Sequence, residues 1–521
     1  MKNYFKYMAI LALGIVSCEP ELENSIEDAD VYTSGEADFS NYVALGNSLT
    51  AGYADGALYI TGQENSYPNI LAQKFALAQE TNGFTQPLAN DNIGGLLLGG
   101  TKIAEPRYVL SVGATGPLPG RLNAEPTTEV TNKLQGPFNN MAVPGAKSYH
   151  LLAEGYGSIA GLQTDPPSSN AYFARFATSD NTSVLADALA QDPTFFTLWI
   201  GNNDVLGYAT SGGVGTYQID NTDVTEYGPN DITNPIAFSM VYRQIVEPLA
   251  ETADGVLLNI PDITSVPYFT TIPNNALALD ASTAANLTSF FQAVAGVFAQ
   301  VLMQDPNVTP AQAQALASQY AIQFSEGANR FLIEVPASPT NPLGFRQMTE
   351  EELLLLPIDQ AALRQGYGSV VLTQEVGAVL AVLQSGGQPT PEQVQTLFGA
   401  VSGIADEDAL DSEEIQNIRT ATAAYNEAIK STADALGLGF VDANALVAKL
   451  DSEGIAFDGG VLTSTFVQGG AYSLDGVHQT PRGSAVIANA IIDEINATYG
   501  AKLPKANIGD YGTVTLDQNV Q

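Results

Sequence analysis

The chain has 521 residues, 45% of them hydrophobic and 14% charged, with 48 glycines and 28 prolines. That composition describes a large globular protein with many turns and long connections, and it excludes a disordered chain. The 19 basic and 56 acidic residues give a net charge of −37, which excludes nucleic acid as a partner, because a phosphate backbone is bound by clustered Lys and Arg. The same charge disfavours an anionic membrane surface for the folded part and keeps the molecule soluble.

At the amino terminus, Lys2 and Lys6 precede the apolar run Met8–Val16, too short to span a bilayer and suited to a secretory signal. Ile15-Val16-Ser17 leads into Cys18, the only cysteine, so no intrachain disulfide can form. The arrangement resembles a bacterial lipoprotein signal over residues 1–18, which implies that Cys18 carries the lipid of the mature protein. Residues 19–38 are acidic and aperiodic and read as a tether. Export and lipid anchoring to the cell envelope are therefore expected, at the outer membrane on its periplasmic or surface face.

The folded part, 39–521, begins with Tyr42–Leu45, an apolar strand-like run ending in Gly46, with Ser48 on the turn that follows. A serine on a turn at the carboxyl end of a strand stands where open α/β sheets place reactive groups. Tyr67–Ala78 has helical spacing. Between Gly83 and Pro137 the pattern dissolves into Gly, Pro, Asn and Thr, with one strand-like piece at Tyr108–Val112. A connection this long is expected to shape a binding surface. Its Ile93, Leu96, Leu97 and Leu98 suit either acyl-chain contact or core.

Phe195–Ile200 is a nearly continuous apolar run, the mark of a strand buried on both faces, and it ends in Gly201-Asn202-Asn203-Asp204. Phe238–Ala253 reads as a helix and Gly255–Ile260 as another buried strand. From about 276 to 411 alanine- and leucine-rich helical patterns dominate (281–303, 309–324, 349–355 and 376–383), which reads as a helical insertion or cap. Asp411 with Glu414 forms a capping box. The acidic cluster Asp406, Glu407 and Asp408 lacks calcium-loop spacing and reads as a solvated loop. Gly439–Asp442 gives the last strand. Thr480 as N-cap and Pro481 at the first position open a helix reaching Tyr499. Alternating buried strands and helices predict an α/β fold with a parallel central sheet covered on both sides.

A serine hydroxyl needs a base to become a nucleophile, and histidine fits that role near neutral pH. Of the two histidines, His150 has only Glu154 as a nearby carboxylate, whereas His478 follows Asp475 by three residues across a glycine-containing turn. That carboxylate can hold one ring nitrogen and support the imidazolium. No histidine pair is spaced to ligate a metal, and no metal or organic cofactor is expected.

Four blocks, GNSLTAG, NMAVPGAKS, WIGNND and DGVHQTPRG, stand in the order and spacing of the SGNH, or GDSL-type, hydrolases, and the chain resembles that lipase/esterase family along its mature length. The lipoprotein signal beside them resembles that of a Gram-negative, Bacteroidetes-like member. The resemblance implies a flavodoxin-like three-layer α/β/α fold, with Ser48 as nucleophile, His478 as general base and Asp475 as the third triad member. It also implies an oxyanion hole made by the backbone N–H groups of Ser48 and Gly145 and the side-chain amide of Asn203. Such donors are each worth roughly 3 kcal/mol in hydrolases of this kind. Two departures stand out: Asn47 replaces the aspartate before the serine, and the 276–411 insertion exceeds the family core.

The expected activity is hydrolysis of acyl esters, on lipids or O-acylated carbohydrate, through an acyl-serine. Two other readings remain open. An α/β-hydrolase-type lipase is weakened because Gly46-Asn47-Ser48-Leu49-Thr50 lacks the final glycine of G-x-S-x-G. A lipid-anchored glycan- or envelope-binding protein without turnover has no need of all five site residues.

Overall fold

The computed structural model describes residues 31–113, 116–517 and 520. The signal 1–18, with Cys18, and residues 19–30 of the expected tether lie outside these. The chain is α/β, built on a four-stranded parallel sheet whose order follows the sequence: β1 (Tyr42–Gly46), β2 (Phe195–Trp199), β3 (Asp254–Leu258) and β4 (Gly439–Val441). Residues 139–143 run beside the free edge of β1. There the Ala44 N–H donates to Asn139 O at 2.9 Å, and the Met141 and Val143 N–H groups donate to Ala44 O and Gly46 O at 2.8 and 3.0 Å. With this segment counted, the chain lays its second strand on one side of the first and its third on the other. The carboxyl end of β1 thus lies at the switch point where an open α/β sheet leaves a crevice.

Successive side chains in a strand point to opposite faces, and the core divides accordingly. Val43, Leu45, Phe196, Leu198 and Leu257 join one apolar cluster; Tyr42, Ala44, Phe195, Trp199 and Val256 join the other. The helices Pro235–Ala250 and Ser412–Leu436 cover the first face, with Phe238 stacked on Tyr425 at 4.1 Å between ring centroids. Tyr67–Ala78 and Pro481–Tyr499 cover the second. Both faces being covered is why these strands carry apolar residues without alternation.

The last helix runs as its sequence signals predict, from the Thr480 cap to Gly500 in left-handed conformation. Asp411 and Glu414 form the expected reciprocal capping box. The final part of the segment read as a tether is instead bound to the fold: Thr33 O accepts from the Lys502 N–H, the Glu36 N–H donates to Tyr499 O, and Ala37 is buried.

Two irregular regions differ from their sequence reading. Residues 83–137 contain two hairpins, Leu96–Leu98 with Thr101–Ala104 and Tyr108–Gly113 with Gly116–Arg121. The strand Gly116–Arg121 is hidden in the sequence by Pro117 and Pro119, which lack the N–H that marks a ladder residue. Leu96 belongs to a small core with Val130 and Ala174.

The 276–411 insertion has its own apolar core, built by the helices Ala281–Leu302, Pro310–Ser318, Gln374–Gln384 and Pro391–Phe398. Ala281–Leu302 is long and apolar enough to cross a membrane, yet its apolar side chains pack this core. The insertion is not purely helical, since it also carries several two-stranded pairings. The helix expected at 349–355 does not form. Leu353–Leu354 pairs with Ala409–Leu410 as a short strand, and the buried Glu352 carboxylate takes hydrogen bonds from Arg346 and the Thr349 N–H. Pro357 also disfavours helix at Leu356. The helix expected over 309–324 stops at Ser318.

Candidate active site

Ser48 opens a one-turn helix, Ser48–Ala51, directly after β1, and Gly52 closes it in left-handed conformation (φ 79°). A Cβ on Gly46 would overlap Thr50 Oγ1 and Trp199 O, so the strand-to-turn junction admits only glycine. Asn47 is fully buried and uses both ends of its amide. Its Oδ1 accepts from the Leu49 N–H at 3.0 Å, and its Nδ2 donates to Asn202 Oδ1 at 3.1 Å. An aspartate there could cap Leu49 but has no hydrogen to offer the Asn202 oxygen. Asparagine thus ties the turn after β1 to the turn after β2, and the departure in this block supports the serine turn.

The structure brings Ser48, His478 and Asp475 together although 430 positions separate the first two. Ser48 Oγ lies 2.8 Å from His478 Nε2, and His478 Nδ1 lies 2.9 Å from Asp475 Oδ2. Asp475 Oδ1 accepts from the Val477 and His478 N–H groups, each at 2.9 Å, and Oδ2 also accepts from the Gly56 N–H at 2.7 Å. Burial alone would push this carboxyl up. The His478 ring and the surrounding N–H donors outweigh it and hold the group well below the ordinary carboxylate range. Gly476 sits at φ 75°, where its missing Cβ makes room for Leu356 and the Tyr268 N–H. The Tyr53 ring packs against His478 at 4.8 Å between centroids.

Gly145 and Asn203 stand on the neighbouring turns. Gly145 is exposed, with φ 80°, and follows the segment beside β1. Asn203 begins the helix Asn203–Thr210 after β2, and its Nδ2 donates to Ala146 O at 2.8 Å, leaving one amide hydrogen unspent. Among the described residues the N–H groups of Ser48 and Gly145 form no hydrogen bond. Among the described residues, three turns at one end of the sheet therefore carry donors without a partner, and one of them is the turn of the serine relayed to histidine and carboxylate.

The other histidine takes no part in the relay. His150 Nδ1 accepts from the Lys147 N–H at 3.0 Å, its ring stacks on Tyr156 at 4.5 Å, and burial, with Lys147 nearby, pulls its pKa down to about 4. It is a neutral prop for the loop after Gly145.

Sequence reasoning missed two buried carboxylates that hold the site. Asp55 accepts from the Leu474 N–H at 2.9 Å, from Tyr59 OH at 2.9 Å and from Arg107 Nη2 at 2.5 Å, while its own N–H donates to Ser473 Oγ at 2.9 Å. Burial pushes its carboxyl up, against the opposing pull of Arg107 and the Leu474 N–H. Asp204, fully buried, accepts from the Ser148 N–H and hydroxyl at 2.8 and 2.7 Å, joining the turn after β2 to the loop after Gly145. Burial also raises this carboxyl, opposed by the Ser148 bonds. The small, polar residues from Thr50 to Asp55 mark no more than a turn in the sequence. Asp204 stands inside the WIGNND block, but its spacing does not separate a structural role from a chemical one.

Comparison with known proteins gives no match: no family model, no curated protein and no solved structure is significantly similar to this chain.

Proposed function

We propose that the chain is a serine ester hydrolase of SGNH type, with the flavodoxin-like strand arrangement of that family, that cleaves acyl esters of lipids or O-acylated carbohydrate. The observation that carries this reading is the continuous relay from Ser48 Oγ through both nitrogens of His478 to Asp475, at 2.8 and 2.9 Å. A serine with no chemical duty has no need of an imidazole whose far nitrogen is held by a largely buried carboxylate.

In this mechanism Ser48 Oγ attacks the ester carbonyl while His478 Nε2 takes its proton. Asp475 keeps the ring in the tautomer that presents a lone pair to the serine and stabilises the imidazolium that forms. In this reading the developing oxyanion is received by the N–H groups of Ser48 and Gly145 and the second amide hydrogen of Asn203. His478 passes its proton to the departing alcohol. Water, deprotonated by the same nitrogen, then releases the acid and restores Ser48. Lipid attachment at Cys18 would hold this chemistry at the envelope.

The test is hydrolysis of p-nitrophenyl esters of increasing acyl length by the protein lacking residues 1–18, with Ser48→Ala and His478→Ala alongside. Turnover lost in both variants supports the assignment, and the preferred chain length separates deacetylation from lipolysis. Turnover unchanged in either variant overturns it.

A further inference from the structure

We propose that Asn170 is a positioning residue for the oxyanion hole, acting through the Pro144–Gly145 peptide; the inference rests on the hydrolase reading above. Asn170 Nδ2 donates to Pro144 O at 2.9 Å. A peptide unit is a rigid, trans plate, so the carbonyl of Pro144 and the N–H of Gly145 point in opposite directions from one plane. Fixing the oxygen on one side aims the hydrogen on the other. Gly145 requires such a constraint. At φ 80° an exposed glycine has wide freedom, and its N–H has no partner among the described residues to hold it.

The Asn170 side chain is itself tightly held. Its Oδ1 accepts from the Tyr172 and Phe173 N–H groups at 2.9 and 3.3 Å, capping the short helix Ala171–Ala174. Its Nδ2 also donates to Tyr156 OH at 3.1 Å, and its backbone N–H donates to Tyr156 O at 2.7 Å. Two N–H groups face the oxygen and a carbonyl faces the nitrogen, so only one orientation of the amide satisfies the network. The same Tyr156 stacks on His150, whose ring accepts from the Lys147 N–H. The loop bearing Gly145 is thus gripped at Pro144 by Asn170 and at Lys147 by His150, with Tyr156 shared between the two grips. This gives the second histidine a place in the site without chemistry.

The test uses Asn170→Asp and Asn170→Ser. Both are good helix caps and retain an oxygen for Tyr172 and Phe173. Asp puts an oxygen against Pro144 O, and Ser is too short to reach it, so the cap survives while the grip is lost. The readouts are kcat and KM for a p-nitrophenyl ester that the wild type hydrolyses, and affinity for a boronic acid that mimics the tetrahedral intermediate. Active sites are counted by end-point labelling with a fluorophosphonate. A donor that acts in the transition state affects kcat and leaves ground-state binding alone. Per labelled site, kcat is expected to fall roughly 10- to 100-fold, as for a small misplacement of a catalytic group. Boronate affinity is expected to fall in parallel, with KM within about two-fold of wild type.

Unchanged kcat and boronate affinity in both folded variants would overturn the role of Asn170 while leaving the hydrolase reading intact. Failure of both variants to fold would make Asn170 a purely structural residue and overturn the role too. Absence of Ser48-dependent hydrolysis in the wild type would remove the hydrolase reading itself, and this inference with it.

Discussion

The Asp55 carboxylate accepts a hydrogen bond from the Leu474 N–H at 2.9 Å across 419 positions of sequence, fastening the turn after the serine to the turn that carries Asp475 and His478. The next residue repeats the link, the Gly56 N–H donating to Asp475 Oδ2. Arg107 completes the buried clasp: its guanidinium lies over the Tyr59 ring at 3.6 Å and also donates to Thr515 Oγ1 near the carboxyl terminus.

Asp55→Asn keeps an acceptor for Leu474 but leaves the Arg107 guanidinium buried without its counter-charge. Breaking one side of a buried pair costs about 3–5 kcal/mol. The expected outcome is a loss of that size in urea unfolding, followed by the fluorescence of Trp199, the only tryptophan and fully buried. A variant as stable as wild type would show that the Asp55–Arg107 pair contributes nothing net.

Under the proposed hydrolase mechanism, Asp475→Asn is expected to lower kcat by roughly 10⁴-fold, because an amide cannot hold the His478 tautomer as a carboxylate does. Stability should respond to pH as well. The carboxyl is depressed in the folded chain, so its contribution is complete above the ordinary carboxylate range of about 3.9 and is lost as pH falls toward the lowered folded value. Acid titration of the unfolding midpoint should show this loss in wild type and lack it in the variant.

Gly145→Ala meets no steric obstacle, the nearest atom to the added Cβ being Asn170 Nδ2 at 3.8 Å, but it must adopt φ 80°. The left-handed region costs a non-glycine residue roughly 1–2 kcal/mol. The peptide will rotate to relieve it and carry the N–H with it. Under the proposed hydrolase mechanism, stability should fall by no more than roughly 1–2 kcal/mol while kcat falls by roughly 10-fold or more; unfolding and steady-state kinetics on one preparation decide this.

Glu414 lies at the start of the Ser412–Leu436 helix, where burial, with Asp411, Asp406 and Glu352 nearby, pushes its pKa up to about 8 although the Asp411 backbone opposes the shift. A carboxyl raised in the folded state contributes stability that is complete below its ordinary pKa and lost as pH rises through the folded value. Glu414→Gln should therefore match wild type near pH 4 and become progressively more stable than wild type between about 4.5 and about 8. Melting temperatures across that range test it, and a constant gap would refute it.

The sheet strands, the covering helices and the Asp475–His478 pair were legible because each leaves a local mark. Phe195–Trp199 is apolar without alternation since both its faces are covered. The Pro481–Tyr499 helix begins and ends where Thr480, Pro481 and Gly500 place its boundaries. Asp475 and His478 share one four-residue turn, so their pairing is a short-range event that spacing reveals.

What only the tertiary structure decided is the set of contacts between turns distant in sequence. Asp55 with Leu474, Asn47 with Asn202 and Asn170 with Pro144 are polar pairs with no periodicity, and they meet because the sheet delivers several chain reversals to one end. The Leu353–Leu354 pairing with Ala409–Leu410 belongs to the same class, since a partner across the fold overrode local preference, whereas Gly116–Arg121 pairs within a local hairpin that its prolines conceal. Sequence by itself determined which residues are buried in strands and helices, and its motifs singled out Ser48, His478 and Asp475. Folding decided their orientation, because a hydrogen bond's direction is set by whichever group the rest of the chain places opposite it.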